Sequence, residues 1–289
     1  MSKKRPSKRD KYYGRPSDRV KGKKGSSKNT AKKPKPTSGE QVEGRQAVRE
    51  LLIAGARNTI EIFMAEDMKE SEILTDIEEL ALSQGVPVRT VSAKRVASEA
   101  LTTSHQGVVA KADPLKLADL DDLMANPNAF LIVLDGVTDP MNLGSILRIS
   151  ECSGVTGIVI AARRSVSITA SAAKTAAGAL EHVPICIVGG IPAALSQMSG
   201  ANITTIGLDM AGKHGIFDSS QSLDKPLALV LGKEGSGLSR LVMERVDRLV
   251  SIPLLGELNS LNVATACAVA TFEVVRRQQD IDRSGIHRD

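Results

Sequence analysis

Six short apolar runs, separated by helix-like segments, constrain the fold of this chain more than any other feature of its sequence. The runs fall between residues 129 and 252 and contain few polar residues, as in Phe130–Asp135 and Leu227–Gly232. Strands that are apolar throughout and alternate with helices are typical of a parallel sheet covered on both faces. We therefore predict an α/β domain over residues 129–289. Its strands are expected at 130–135, 157–161, 185–188, 203–208, 227–232 and 249–252.

The sequence before this domain predicts a smaller α/β unit over residues 41–113. Helical periodicity alternates there with β-rich runs such as Thr59–Ala65. A unit of ~70 residues can fold alone, although only marginally. Pro114 and Pro127 then flank one short helical turn, so we expect residues 114–128 to form a linker.

Charge divides the chain into a strongly basic start and a mildly acidic remainder. Residues 1–40 hold 15 Lys and Arg against 3 Asp and Glu, whereas residues 41–289 hold 23 against 30. The basic tail has too few apolar residues to bury a core, so we expect residues 1–40 to be disordered. Its positive charge favours contact with the backbone of a nucleic acid, and a solvated tail without a partner is the alternative.

Composition argues against several classes of protein. The chain has no Trp, and both of its Tyr lie in the tail, so a protein that stacks single-stranded bases on aromatic rings is disfavoured. Its three Cys are far apart and lack the spacing of metal ligands, which predicts buried thiols and no metal site. The sequence has no signal peptide and no apolar run of the ~18 residues that a membrane span requires. We therefore expect a cytoplasmic protein that does not bind membranes.

Three polar loops follow predicted strands and carry the candidate functional residues. The first loop contains Asn142 and leads into a helix, expected from Gly144 to Ser153, on which Arg148 projects. A helix cap is the structural alternative for Asn142, and a surface salt bridge is the alternative for Arg148. The second loop, GKEGSGLSR, contains Gly232 and Glu234 but matches neither a Walker motif nor GxGxxG. The third, between 251 and 262, ends in a long Ala-rich helix. Because ligands bind at the carboxyl ends of parallel strands, we expect the three loops to form one site.

These loops resemble the three signature motifs of the SpoU (TrmH) family of RNA ribose 2′-O-methyltransferases, within the SPOUT superfamily. The matching residues are Asp139-Pro140 with Asn142-Leu143-Gly144 and Arg148, Leu231-Gly232 with Glu234-Gly235 and Gly237, and Ile252-Pro253 with Ser260-Leu261-Asn262-Val263. The smaller unit resembles the family's substrate-binding domain through Val42–Arg45, Ala47-Val48 and His105–Val108. The resemblance covers about residues 41–280 and is strongest to the family's large-subunit rRNA guanosine methylases.

The resemblance implies a SPOUT-type α/β fold over 129–289 whose C-terminal segment forms a trefoil knot. S-adenosylmethionine is then expected to bind against Gly232, Ile252 and Leu261. Family members act as homodimers with the active site near the subunit interface, and the close-packing face of the Ala-rich closing helix suits such an interface.

The resemblance also implies roles for the polar residues of the loops. Arg148 would bind the target phosphate or ribose, stabilise the developing alkoxide and relay the proton, since a guanidinium stays protonated below pH ~12 and is a poor base. Asn142 and Asn262 would orient the ribose and the loops. Glu234 would hold its loop through backbone N–H groups, and Ser260 would contact the substrate or Arg148.

The function implied is S-adenosylmethionine-dependent 2′-O-methylation of a guanosine in 23S rRNA, with RNA bound through the tail and residues 41–113. Methylation of tRNA is the nearer alternative. A non-catalytic ribosome-assembly factor on the same scaffold is a second, and an ordinary nucleotide-dependent enzyme of the doubly wound kind is a third. The absence of the fingerprint glycines of dinucleotide-binding folds argues against the third alternative.

Overall fold

The computed structural model describes residues 40–163, 165–166, 168–220 and 222–284. Apart from Glu40, the predicted basic tail lies outside these residues. No helix within them is both long and apolar enough to cross a lipid bilayer.

Residues 40–112 form a four-stranded mixed sheet with three helices. Its order is β1-β4-β2-β3, in which β4 is antiparallel to both β1 and β2, and β2 is parallel to β3. The sequence did not predict β1, a short edge strand with one apolar side chain. The elements are β1 (Glu40–Glu43), α1 (Arg45–Ala54), β2 (Thr59–Ala65), α2 (Glu72–Ser83), β3 (Val88–Val91), α3 (Ala93–Glu99) and β4 (Val108–Ala112).

The core of this unit lies mainly between the sheet and the pair α1 and α2. Val48, Leu51, Ile62 and Ile77 are almost fully buried there. The other face of the sheet packs on α3 through Val96. The unit therefore has an apolar core of its own.

Residues 130–251 form a seven-stranded sheet in the order β7-β6-β5-β10-β8-β11-β9, and every pairing in it is parallel. The predicted parallel α/β architecture is confirmed. Its strands are β5 (Phe130–Asp135), β6 (Gly157–Ala161), β7 (Ile185–Val188), β8 (Thr204–Leu208), β9 (His214–Gly215), β10 (Leu227–Gly232) and β11 (Arg248–Ser251). The helices are α4 (Leu120–Met124), which precedes the sheet, α5 (Pro140–Cys152), α6 (Ala170–Ala176), α7 (Ile191–Gly200), α8 (Arg240–Met243) and α9 (Val263–Ser284).

Both faces of the large sheet are covered, as its continuous apolar strands require. On β5, Phe130 and Ile132 face the layer formed by α5, α6 and α9, whereas Leu131 and Val133 face the layer formed by α4, α7 and α8. All four side chains are fully buried. Two of the three cysteines, Cys186 and Cys267, are buried as predicted, and burial raises the pKa of Cys267 to about 12. The prediction was wrong for Cys152, which is exposed at the end of α5.

The last strand of the large sheet, β11, lies between two strands that precede it in sequence. The loop after β8 passes over it, because Asp209 N donates to Val250 O at 3.0 Å and Ile216 N donates to Ser251 O at 2.8 Å. Gly212 packs on the β11 backbone so closely that a Cβ there would lie 2.4 Å from the carbonyl carbon of Val250. Residues 209–216 therefore connect the two strands on either side of β11 and contact its backbone.

The junction between the two sheets is built from polar contacts. Arg57, whose side chain is 6% exposed, bonds both carboxylate oxygens of Glu181, which is 3% exposed. Arg57 also bonds Glu40 and the backbone oxygen of Asp113. In residues 114–128, the expected linker, α4 packs on the large sheet and its Leu123 is buried.

The first loop of the large domain differs most from its predicted form. The helix was expected from residue 144, but α5 begins at Pro140. Asp139 accepts the backbone N–H of Met141 at 2.9 Å and so caps the helix, with proline in the first turn. Asn142 is consequently inside the helix, and its side chain is free for other contacts.

Candidate active site

A cavity of about 210 Å³ opens at the carboxyl ends of β8, β10 and β11. Its walls come from the loops that follow these strands and from the start of α9. This is the position at which parallel sheets bind ligands. Five of the predicted site residues line the cavity: Gly232, Glu234, Ile252, Ser260 and Leu261.

A hydrogen-bonded network of Asn142, Glu234 and Asn262 joins the three loops beside this cavity. Asn142 Nδ2 donates to Glu234 Oε1 at 3.2 Å, and Asn262 Nδ2 donates to Asn142 Oδ1 at 3.0 Å. Asn262 Nδ2 also donates to Glu234 Oε1. The structure therefore unites three predicted residues from three separate loops in one cluster.

Asn262 has a second task, because its side chain caps α9. Its Oδ1 atom accepts the backbone N–H groups of Ala264 at 2.9 Å and Thr265 at 3.3 Å. Glu234 Oε1 accepts the N–H of Val263 at 3.4 Å, so its carboxylate lies at the positive end of this long helix. Glu234 thus bonds the first backbone N–H of α9 and two amide side chains.

The Gly232–Gly237 loop folds back on itself next to the cavity. Lys233 and Gly237 exchange backbone hydrogen bonds of 3.0 and 2.9 Å. A Cβ at Gly232 would lie 2.2 Å from the carbonyl carbon of Gly237, so the fold-back requires glycine at this position. The tight loop exposes Glu234 on one side and leaves backbone groups along the cavity wall.

Two carboxylates that the sequence analysis did not single out fix the end of this loop. Asp209, which lines the cavity, accepts the N–H of Leu238 at 3.0 Å and that of Ala211 at 2.9 Å. Asp135 accepts the N–H of Ser239 at 2.7 Å. Both residues stand at the end of an apolar run, which is the signal that could have identified them. They hold the Gly-rich loop from β8 and β5, on either side of β10.

Arg148 does not join the network in this chain. It lies on α5 six residues beyond Asn142, about 9 Å along the helix axis, and its side chain is exposed. It does not line the cavity, and no hydrogen bond or ion pair engages it among the described residues. Arg148 is therefore a free cation on the surface of the helix that carries Asn142.

The cavity combines apolar walls with carboxylates at its rim. Leu208, Ile252 and Leu261 supply aliphatic surface, whereas Asp209 and Glu234 supply negative charge. Such a site suits a flat apolar ring system joined to a positively charged group. Within the described ranges, no three His, Cys, Asp or Glu side chains lie close enough together to hold a metal ion.

Two family profiles match consecutive parts of the chain. The SpoU rRNA Methylase family matches residues 129–272, which include the whole seven-stranded sheet. The profile described as RNA 2′-O ribose methyltransferase substrate binding matches residues 41–118.

Relatives of known name are similar over most of the chain. The 23S rRNA (guanosine-2′-O-)-methyltransferase RlmB of Haemophilus influenzae is 37% identical over 244 residues, which are 83% of this chain and 98% of that protein. YacO of Bacillus subtilis, named for the TrmH family of tRNA/rRNA methyltransferases, is 36% identical over 247 residues, 84% of this chain and 97% of YacO.

A solved structure shares the fold. The SpoU methyltransferase AviRb from Streptomyces viridochromogenes, in complex with AdoMet, superposes with a TM-score of 0.70 and 22% identity, over 84% of this chain and 91% of AviRb. The two profiles, the relatives and the motif loops agree, and the chain belongs to the SpoU rRNA methylase family.

Proposed function

We propose that this protein transfers a methyl group from S-adenosylmethionine to the ribose 2′-hydroxyl of a guanosine in 23S rRNA. The observation that carries the proposal is the Asn142–Glu234–Asn262 network, which joins the three motif loops beside a cavity at the carboxyl edge of the sheet. RlmB relatives, named for this reaction, are similar along more than four fifths of the chain.

The residues around the cavity fit S-adenosylmethionine. Ile252 and Leu261 offer apolar surface to the adenine ring, and the fold-back after Gly232 allows backbone groups to approach the nucleoside. Asp209 and Glu234 line the same cavity, and their negative charge would attract the sulfonium and ammonium groups of the cofactor. When bound, S-adenosylmethionine supplies an electrophilic methyl group whose carbon–sulfur bond breaks as the 2′-oxygen attacks from the opposite side.

The polar residues of the loops position the attacking ribose. Asn142 and Asn262 orient it, because their amides are fixed to the Glu234 carboxylate and to each other. Ser260, exposed on the cavity wall, contacts the substrate or Arg148. Fixed geometry of this kind lowers the entropic part of the barrier to bond formation.

Arg148 acts on the RNA from the exposed surface of α5. Its unpaired guanidinium binds the phosphate or ribose of the target nucleotide and stabilises the oxyanion that forms as the 2′-hydroxyl loses its proton. The proton then passes along this contact to solvent.

The 209–216 loop around β11 supports a trefoil knot at the C-terminal end, and the exposed apolar residues near α9 support a homodimer. Phe272 on α9 is 46% exposed and Met141 on α5 is 52% exposed. A second copy packed on these helices would bury both side chains and place the active site near the interface.

The basic tail and residues 41–113 bind the RNA, and the reaction takes place in the cytoplasm.

The proposal is tested with radiolabelled S-adenosylmethionine and unmodified rRNA and tRNA, followed by mapping of the labelled nucleotide. We expect label on the ribose of one guanosine in 23S rRNA. Label on tRNA would support methyl transfer by this protein but would assign tRNA as its substrate. RNA binding without label on either RNA would overturn the proposal in favour of an assembly factor.

A further inference from the structure

The two sheets differ in how many of their basic side chains remain free. Residues 41–113 contain 8 Lys and Arg against 12 Asp and Glu, a net charge of −4. Five of the eight basic side chains form ion pairs with carboxylates: Arg49, Arg57, Arg89, Arg95 and Lys111. This unit therefore has little positive charge to offer to a phosphate backbone.

Three basic residues follow strands of the large sheet and are free. Arg163 follows β6, Lys213 follows β8 and Lys233 follows β10 directly. All three are exposed, and in the described part of the chain no ion pair or side-chain hydrogen bond engages them. Because parallel strands end at one edge, the three cations share the edge that carries the cavity.

The strand order arranges these cations in a row. Along the sheet, β6 and β10 are separated by β5, and Lys213 directly precedes β9, which lies beyond β8 and β11. With neighbouring strands ~4.8 Å apart, the five spacings from β6 to β9 give the row a span of about 24 Å. Lys233 also lines the cavity. The row therefore passes the site at which the methyl group is transferred, and it is long enough to meet several phosphates of one strand.

Most carboxylates at the same edge accept hydrogen bonds from N–H groups, and none of them forms an ion pair with this row among the described residues. Asp135 and Asp209 bond backbone N–H groups of the Gly-rich loop, and Asp139 caps α5. Glu234 bonds two amide side chains. Glu257, exposed in the loop before α9, is the exception. The edge thus holds most of its carboxylates in fixed hydrogen bonds, whereas its three basic side chains are exposed and form no ion pair or side-chain hydrogen bond in the described part of the chain.

We propose that Arg163, Lys213 and Lys233 form a track that binds the phosphate backbone of RNA beside the cavity. The four-stranded unit then contributes contacts of shape and hydrogen bonding rather than phosphate charge. The inference deepens the proposed function and rests on it, because the proposed function identifies the bound polyanion as RNA.

The test compares salt dependence of RNA binding by the full-length chain and two charge-matched triple variants. One is Arg163→Gln/Lys213→Gln/Lys233→Gln. The control, Lys69→Gln/Arg89→Gln/Lys94→Gln, removes the same charge from exposed positions on the four-stranded unit. The probe is a transcribed 23S rRNA fragment titrated at several KCl concentrations. Circular dichroism melting checks that both variants fold.

We expect the track variant to lose about 10-fold or more in RNA affinity and about 2 units of salt slope, since each single-strand phosphate contact contributes ~0.7. The control is expected to change the salt slope by less than ~0.7, which is the contribution of one phosphate contact. Equal slopes for the wild type and the track variant, or an equal loss in the control, would overturn the inference. Because binding is measured without methyl transfer, an inactive wild type would contradict only the proposed function.

Discussion

The Arg57–Glu181 pair and the Asn142–Glu234–Asn262 network use buried and half-buried polar groups for different purposes. The pair is enclosed between the two sheets, with 6% and 3% of its side chains exposed, and its charges satisfy each other. The network lies at an open edge, where Glu234 is exposed and bonds amides from two other loops. The first arrangement fixes one unit on another, and the second fixes three loops around a space that a ligand can enter.

The difference separates polar groups that stabilise the fold from polar groups that position a ligand. A buried ion pair matters for stability mainly because removal of one partner leaves the other charge buried without compensation. A network at a cavity contributes through geometry, because the same donors and acceptors also face the ligand. Substitutions in the two regions should therefore affect different measurements, one the free energy of unfolding and the other the rate of methyl transfer.

The largest effect is expected for Arg57→Ala. Burial alone lowers the pKa of Arg57, but its hydrogen bonds to Glu181 and Glu40 outweigh this and raise the pKa, so the guanidinium stays charged. Its removal leaves the Glu181 carboxylate buried without a counter-ion, at a cost of about 3–5 kcal/mol. Urea denaturation measures this free energy of unfolding.

The control for this prediction is Arg89→Ala. Arg89 also pairs with a carboxylate, Glu61, at 2.9 Å, but its side chain is 62% exposed. Solvent screening limits such a pair to ~1 kcal/mol or less. Equal destabilisation by the two substitutions would contradict the distinction between a structural buried pair and a surface pair.

Arg148→Ala tests the free cation on α5. We expect methyl transfer to fall by about 10²–10³-fold, the effect of removing a group that stabilises an oxyanion. Cofactor affinity should be unchanged, because Arg148 does not line the cavity. Single-turnover rates and calorimetric titration with S-adenosylmethionine measure the two quantities. Arg240→Ala, exposed on α8, is the control, and retained turnover in Arg148→Ala would remove this residue from the mechanism.

Glu234→Gln tests the network itself. All three donors, from both asparagines and from Val263, bond the Oε1 atom of Glu234. Glutamine keeps an oxygen that can take this place, but it removes the negative charge that strengthens these bonds and faces the cavity. We expect a fall of about 10²-fold in single-turnover rate, with a smaller change in the free energy of unfolding. Glu244→Gln, at an exposed position directly after α8, is the matched control. A variant that unfolds readily but reacts at the normal rate would show that the network is structural, as the buried pair is.

Several parts of this structure could be predicted from the sequence because they depend on local pattern. The strands β5, β6, β7 and β10 occur at the predicted residues, since uninterrupted apolar runs mark buried parallel strands. The short edge strands β1 and β9 were missed because backbone pairing, rather than an apolar pattern, defines them. The start of α5 could have been found, since Asp139-Pro140 is a cap followed by a favoured first helical residue.

The sequence predicted that the three motif loops lie close together, but it did not predict the geometry of their contacts. The motif residues Asn142, Glu234 and Asn262 were expected to share a site, yet their bonds join positions 92 and 120 residues apart in sequence. No local pattern specifies which amide bonds which carboxylate. The role of Asp209 was also hidden, because its partner Leu238 belongs to a loop 29 residues away.

The smallest effect is expected for substitution of Glu273 on α9. Like the Arg57–Glu181 pair, and unlike the network, this carboxylate is buried and ion-paired. It is 7% exposed and bonds Arg276 at 2.8 Å and Arg277 at 2.7 Å. Arg277 in turn donates to the backbone oxygen of Ile216 at 2.7 Å, in the loop around β11. Hydrogen bonds from Arg276, opposed by burial, lower the pKa of Glu273 from its ordinary value of 4.5.

Because the folded-state pKa is below the unfolded value, this carboxylate stabilises the fold above about pH 4.5, and its contribution is lost as pH falls through the folded pKa. Glu273→Gln should therefore cost about 1 kcal/mol at pH 7 and progressively less in acid. Urea denaturation at several pH values gives the difference from wild type. Asp280→Asn is the control, because Asp280 also pairs with Arg276 but is exposed. Its free energy of unfolding should differ little from that of the wild type at any pH. A cost for Glu273→Gln that stays constant into acid would mean that shape, not charge, holds the loop.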